Sequence, residues 1–258
     1  MRMMFQHLYE IKYNRLFIDH INQSNKYEFL DTLGIGSFGV AYLLQHRLTN
    51  EKYVLKRLRA KHKNKASTKN NFQQEIAFLQ KEMHPNLPTI KEEGFVKGLP
   101  FYMMDFIEGH TFEHLIFNKG QTFSVHESLT LVKQLFEIVL TIHDHGIVHR
   151  DLRIPNILLH HNKLYVIDFG LACYMKESIN IDTIKNPKKV ENYISDLYYT
   201  GHFLLYLLYS NYTPHDKKER CWQEELQLPL YVQHYIERLL LIKQAFPDTR
   251  TAYEALPL

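Results

Sequence analysis

Two short runs hold most of the chemistry legible in this sequence: His149-Arg150-Asp151-Leu152-Arg153-Ile154-Pro155-Asn156 and Asp168-Phe169-Gly170. Phosphoryl transfer needs little covalent help from a protein. It needs divalent cations to neutralise phosphate charge and an acceptor hydroxyl held in line. Two acids and an amide meet those needs: Asp168 to hold the main Mg2+, Asn156 to offer an amide oxygen to a second ion, and Asp151 to orient the hydroxyl and take its proton. Mn2+ suits the same oxygens. Upstream, Gly34-Ile35-Gly36-Ser37-Phe38-Gly39 lies between two candidate strands. Glycines at that spacing let a backbone approach phosphates unobstructed. A dinucleotide-binding turn would lead into a helix, with an acid about 20 residues on for the ribose; here a strand follows. That strand, Tyr53-Val54-Leu55-Lys56, returns Lys56 beneath the glycine loop, where it can pair with nucleotide phosphates. A buried ammonium needs a counter-charge, and Glu75, on the helical stretch Phe72 to Leu79, is the candidate. Taken singly, each charge reads as an ordinary surface residue; beside the glycine loop they read as a pair.

The elements that must position these groups have their own patterns. Tyr27 to Leu58 alternates and is punctuated by glycines, as in strand, turn, strand, strand. A helix is expected around Phe72 to Lys81 and a buried strand at Phe101-Tyr102-Met103-Met104, with Asp105 to Thr111 as connector. Ser128 to His145 has the apolar spacing of a long helix with one wide buried face. Short strands are expected near Val148 and at Leu164 to Ile167. Helices then follow at Asp196 to Tyr209, Leu230 to Lys243 and Arg250 to Leu256. The expected organisation is an α+β chain: an N-terminal extension over 1–25, a small β-rich lobe with one long helix over 26–104, a hinge over 105–111, and a larger α-rich lobe over 112–258. In the extension, Leu8, Ile11, Leu16, Phe17 and Ile21 are expected to pack as a helix on the small lobe, with docking on a partner as the alternative.

Composition narrows the function classes. With 258 residues, 45% hydrophobic and 23% charged, the chain is neither disordered nor membrane-like. A net charge of +3 falls short of a nucleic-acid-binding signature, so no nucleic-acid partner is expected. Lys61-His62-Lys63-Asn64-Lys65 reads as a solvated loop. Cys173 and Cys221, the only cysteines, read as free thiols in a reducing compartment. The first residues lack the long apolar region of a secretory signal, and Phe203 to Tyr209 is far short of the roughly 20 residues of a spanning helix. A cytoplasmic protein without a membrane partner is therefore expected.

Glycine loop, strand lysine, helix glutamate, His-Arg-Asp loop and Asp-Phe-Gly occur in one order, and in this the chain resembles the eukaryotic-like, Hanks-type serine/threonine protein kinases from about Tyr27 almost to its end. It looks closest to compact bacterial members. The resemblance implies a bilobal protein-kinase-like fold, ATP and Mg2+, and protein substrates that include the chain itself. It places Met104 at the gatekeeper position, the backbone of Asp105 and Ile107 at the adenine edge, and Ala41, Val54 and Leu158 around the ring. Leu79, His149 and Phe169 fall on the family's internal apolar spine. Asp196 matches the aspartate that hydrogen-bonds the His-Arg-Asp backbone. Arg150 matches the arginine that receives either an activation-segment phosphate or a carboxylate.

Two departures bear on the acceptor and its regulation. Arg153 stands where serine/threonine kinases usually carry lysine, a choice also met among tyrosine kinases; its planar fork still reaches a γ-phosphate. Gly170 and Asp196 are closer than usual, and no Ala-Pro-Glu lies between them. Arg250 resembles the arginine that normally pairs with that motif's glutamate, and Ser178 and Thr183 are candidate phosphosites. Two other readings stand beside the protein kinase. One is a small-molecule kinase, suggested by the shortened peptide platform. The other is a nucleotide-binding pseudokinase, against which Lys56, Asp151 and Asp168 are all present.

Overall fold

Alternating apolar residues and glycine punctuation from Tyr27 onward do produce strands, and all five of the first half join one antiparallel sheet. The computed structural model describes residues 2–176, 181–214 and 220–258. The chain divides into two units, Met1–Glu82 with Pro88–Ile107 and Met83–Leu87 with Glu108–Leu258.

The first unit begins with helix α1 (Arg2–Gln23), followed by strands β1 (Tyr27–Ile35), β2 (Gly39–His46) and β3 (Lys52–Leu58), helix α2 (Ala66–Leu79), and strands β4 (Ile90–Val96) and β5 (Leu99–Asp105). The sheet order is β1-β2-β3-β5-β4. The glycine loop closes the β1–β2 hairpin, where the Gly36 amide donates to Gly39 O at 2.9 Å. Register then sets neighbours: Ala41 lies opposite Lys56, and Val54 opposite Met104. β5 is buried from Leu99 through Met104 because β3 and β4 flank it and α2 packs on it.

Helix α1 does pack on its own unit, but on a different stripe from the expected one. Leu8 and Ile11 are exposed and Leu16 is half-buried, whereas Glu10, Tyr13, Phe17 and Ile21 are buried. The stripe keeps helical spacing yet includes a carboxylate, which apolar periodicity alone assigns to water. Arg57 on β3 explains it. Its guanidinium is fully buried, pairs with Glu10 (Nη1–Oε1 2.7 Å), donates from Nε to the Tyr42 hydroxyl at 2.8 Å, and lies 5.3 Å from the Phe17 ring centre. Burying either charge alone would be costly; together they are mutually compensated.

The second unit contains strand β6 (His110–Thr111), helix α3 (Val125–Asp144), strands β7 (Ile147–Val148), β8 (Ile157–His160), β9 (Lys163–Val166) and β10 (Cys173–Tyr174), and helices α4 (Tyr193–Tyr209), α5 (Trp222–Glu225), α6 (Leu230–Leu239) and α7 (Thr249–Glu254). β6, β8 and β9 form one small sheet, β7 and β10 another. The connector is thus shorter than expected: Asp105 ends β5, and His110–Thr111 pairs with β8. Helices α3, α4 and α7 begin before their first apolar repeat because polar caps start them. Ser124 and Glu127 make a capping box, Asn192 accepts from the Ile194 amide, and Asp248 accepts from the Thr251 amide. α2 likewise begins at Ala66 rather than near Phe72, its first turns being polar. α6 stops at Leu239, short of Lys243, and Leu241 just beyond has φ +60°. Gly201 lets α4 approach α6 closely, since a Cβ there would lie 3.0 Å from Leu239 Cβ and 2.9 Å from Leu240 Cδ2. Among the described residues no helix is long and apolar enough to cross a membrane.

Candidate active site

The acidic loop of the second unit is built around one buried carboxylate. Asp151 is nearly inaccessible, and Arg153 grips it with both arms: Nε on Oδ1, and Nη2 on Oδ2 at 2.9 Å. Asn156, also buried, donates from Nδ2 to Asp151 Oδ2 at 2.8 Å and to Asp151 O at 2.9 Å. Hydrogen bonding to Asp151 holds the Arg153 guanidinium charged, above even its ordinary range. The Ile167 amide donates to Asn156 O at 2.9 Å, which ties the strand leading to Asp168 to the same loop. Arg150 and Asp168 both adopt left-handed backbone, with φ +63° and +66°. For non-glycine residues that conformation costs energy, so surrounding bonds must enforce it.

At Arg150 that bond comes from Asp196, at the start of α4. It is fully buried and accepts the His149 amide (2.8 Å), the Arg150 amide (2.7 Å) and His143 Nε2 (2.9 Å). Burial pushes its carboxyl up, but the His143 hydrogen bond and the neighbouring histidines outweigh that and hold it below the usual range. His143 in turn bonds Thr249 through Nδ1 at 2.7 Å. The His149 ring is buried at 4.7 Å from the Phe169 ring and accepts the Asp151 amide on Nδ1 at 3.2 Å. Burial pushes its pKa down, in keeping with a neutral imidazole.

In the first unit, Lys56 Nζ meets Glu75 Oε1 at 2.6 Å, and the Tyr102 hydroxyl donates to the same oxygen at 2.9 Å. Glu75 is buried and Lys56 nearly so. The expected pairing of strand lysine and helix glutamate is therefore in place. Gly39 makes room for it: a Cβ there would lie 3.1 Å from Lys56 Cε. Gly34, Ile35, Gly36, Ser37 and Phe38 are exposed. Val54 and Met104 are buried, Ala41, Asp105 and Ile107 half-buried, and Leu158 is buried in the second unit. The Asp105 amide donates to Thr89 O at 3.1 Å.

The family model for the protein kinase domain matches residues 27–220. The chain belongs to the protein kinase domain family. A Bacillus subtilis (strain 168) protein named "Probable serine/threonine-protein kinase YbdM" is 36% identical over 249 residues, covering 96% of this chain and 95% of that one. Myosin light chain kinase A of Dictyostelium discoideum is 30% identical over 161 residues, 61% of this chain and 54% of the relative. Among solved structures, the PknI kinase domain of Mycobacterium tuberculosis aligns with a TM-score of 0.68 at 18% identity, covering 90% of this chain and 94% of the other. That likeness supports the bilobal kinase fold.

Around this loop the structure resolves an alternative that the sequence leaves open and adds supporting residues that it does not reveal. Arg150, for which the sequence leaves a phosphate and a carboxylate both open, pairs with Glu191 at 3.8 Å and donates to Lys189 O at 3.2 Å. Glu191 also meets Lys176 Nζ at 2.7 Å, which is the main reason its carboxyl sits low. Arg250 finds Asp144 at 4.0 Å, an exposed pair of little energetic weight. Thr183 is exposed, and Ser178 lies outside the described residues. Sequence reasoning misses His143 and Thr249. The available signal is a histidine directly after the buried Ile142 near the end of α3, which periodicity treats as a solvent position.

Proposed function

We propose that this kinase domain transfers the γ-phosphate of ATP to serine and threonine hydroxyls of proteins, itself included. Asp151, held by Arg153 and Asn156 inside a loop whose backbone is fixed by Asp196, is the observation that carries the reading. In this role Asp151 orients the acceptor hydroxyl and takes its proton as the oxygen attacks the γ-phosphorus. Arg153 already spans Asp151, and its exposed guanidinium is suited to steady charge on the moving phosphoryl group. The glycine loop and Lys56 take the other phosphates, with Glu75 and Tyr102 fixing the lysine. Ala41, Val54, Met104, Ile107 and Leu158 take the adenine, along with the Asp105 carbonyl.

Asn156 spends Nδ2 on Asp151, so Oδ1 is the atom it can offer to a cation, and Asp168 adds carboxylate oxygens. This all-oxygen set fits Mg2+. When bound, Mg2+ neutralises phosphate charge. The serine/threonine assignment is supported by the name of the full-length Bacillus subtilis relative.

The test is to incubate the purified chain with Mg2+ and γ-labelled ATP, with and without a basic protein substrate, beside Asp151→Ala, and to map the label. We expect label on serine and threonine that vanishes in the variant. Label on tyrosine would overturn the acceptor assignment. ATP binding without transfer to any protein would sink the protein-kinase reading in favour of a small-molecule acceptor or a binding module.

A further inference from the structure

We propose that Arg59 is a positioning residue for nucleotide binding and that helix α1 sets its place, which makes the amino-terminal helix a working part of the nucleotide site. The inference rests on the role given to the glycine loop above. Three consecutive carbonyls of that loop are captured by the segment after β3. Arg59 Nη1 donates to Gly36 O at 3.2 Å, His62 Nε2 bonds Ser37 O at 3.1 Å, and the Arg59 amide donates to Phe38 O at 2.8 Å. The Phe38 ring also lies against His62, with centroids 5.6 Å apart. This segment is anchored to α1 in turn. Glu10 takes Arg59 Nε on Oε2 at 3.3 Å and the Ala60 amide on Oε1 at 3.5 Å, and Lys63 Nζ donates to the Tyr13 hydroxyl at 2.8 Å. Glu10 does not drift, because buried Arg57 holds its other side at 2.7 Å.

These bonds matter for nucleotide because, beyond its own hairpin pairing, the loop has little else to hold it. Residues 34–38 are exposed, and glycine-rich backbone loses much conformational freedom when it must settle around a ligand. Loop order established before binding removes that cost from the affinity. Carbonyl oxygens also repel phosphate oxygens, and occupying them with an arginine, a histidine and an amide keeps their negative ends away. A merely structural Arg59 would be a half-exposed ion pair whose loss changes stability slightly and nucleotide affinity not at all.

The experiment compares wild type with Arg59→Ala, Arg59→Lys and Glu10→Gln. The readouts are KM for ATP, kcat, the Kd of a fluorescent ATP analogue, and Tm. For Arg59→Ala we expect KM and Kd to rise about tenfold, the loss of one charge-assisted bond, with kcat within about twofold. Arg59→Lys keeps a cation for Glu10 but has no second arm for Gly36, and should recover Tm more fully than affinity. Glu10→Gln should shift Kd in the same direction while also lowering Tm, because Arg57 loses its counter-charge. Unchanged KM and Kd in Arg59→Ala would overturn the proposal, as would a fall in kcat and Tm that accounts for the rise in KM. Wild-type chain that binds no nucleotide would overturn the functional reading as well; wild type that binds, with Arg59→Ala equal to it, removes this inference alone.

Discussion

Asp151→Asn is expected to lower the rate of γ-phosphoryl transfer by about a thousandfold, within the usual range for loss of a general base, while ATP affinity changes little. Asparagine can still accept one hydrogen bond, but its amide nitrogen cannot take a proton from a hydroxyl. The substitution also sets a donor against at least one of three donors already there. Arg153 presents Nε and Nη2, and Asn156 presents Nδ2, to oxygens that aspartate supplies in full. One of these contacts must break, so the acceptor loses alignment as well as a base. The backbone survives, because Asp196 fixes His149 and Arg150 independently of the Asp151 side chain. The measurement is single-turnover label transfer beside Kd for an ATP analogue. Retained transfer within about tenfold of wild type would remove Asp151 from the role assigned to it.

The second large effect is on stability. Asp196→Ala should destabilise the chain by about 3–5 kcal/mol, because it strands buried donors and opens a cavity. Two backbone amides and His143 Nε2 all point at the missing oxygens. Such a cost is a large fraction of the roughly 5–15 kcal/mol that stabilises a domain. Transfer should fall with it, since Arg150, at φ +63°, loses the acceptor for its amide. Asp196→Asn should lie between, keeping one acceptor but adding donors where donors already converge. Urea unfolding of the variants checks this. An Asp196→Ala chain destabilised by less than the roughly 1 kcal/mol of even one typical hydrogen bond would contradict it.

The same residues set an acid limit. Asp196 has a depressed folded-state pKa, so its stabilisation is complete above the ordinary carboxylate value of about 4 and is lost as pH falls through the folded value. His149, pushed down by burial, acts in the same direction at higher pH. Stability is complete above the ordinary imidazole value of about 6.5 and declines below it, as the unfolded chain takes up a proton that the folded chain resists. Unfolding free energy should therefore drop in two stages on acidification, and the lower one should be smaller in Asp196→Asn, since other carboxylates held low, such as Glu191 and Glu237, keep their share of it.

Residues that act through local sequence pattern are legible in the chain alone. The pairing of Lys56 with Glu75 is expected from motif order, and the fold brings the two to 2.6 Å. Asp196, expected to hold the His-Arg-Asp backbone, does so. Compensation between distant polar groups is what escapes. Glu10 looks like a solvent-facing residue until Arg57, far along the chain, is seen buried against it. Apolar periodicity therefore chooses Leu8 and Ile11 for a face that belongs to Glu10 and Tyr13. His143 and Thr249 escape for the same reason, since their value lies in a three-residue relay to Asp196 that no short window contains. Helix starts are read late because caps are polar, as Ser124, Asn192 and Asp248 illustrate.

In the proposed function Asp151, Asn156 and Asp168 make one metal-assisted phosphoryl-transfer centre, and a Mg2+ titration of γ-phosphoryl transfer by wild type and by Asp168→Asn at saturating ATP probes it most directly. We predict saturable dependence in wild type, none after chelation, and a variant slower by about a thousandfold or more at every Mg2+ concentration, as expected when electrostatic stabilisation of the transferring group is lost. Transfer that persists in chelator, or an Asp168→Asn rate equal to wild type, would contradict it.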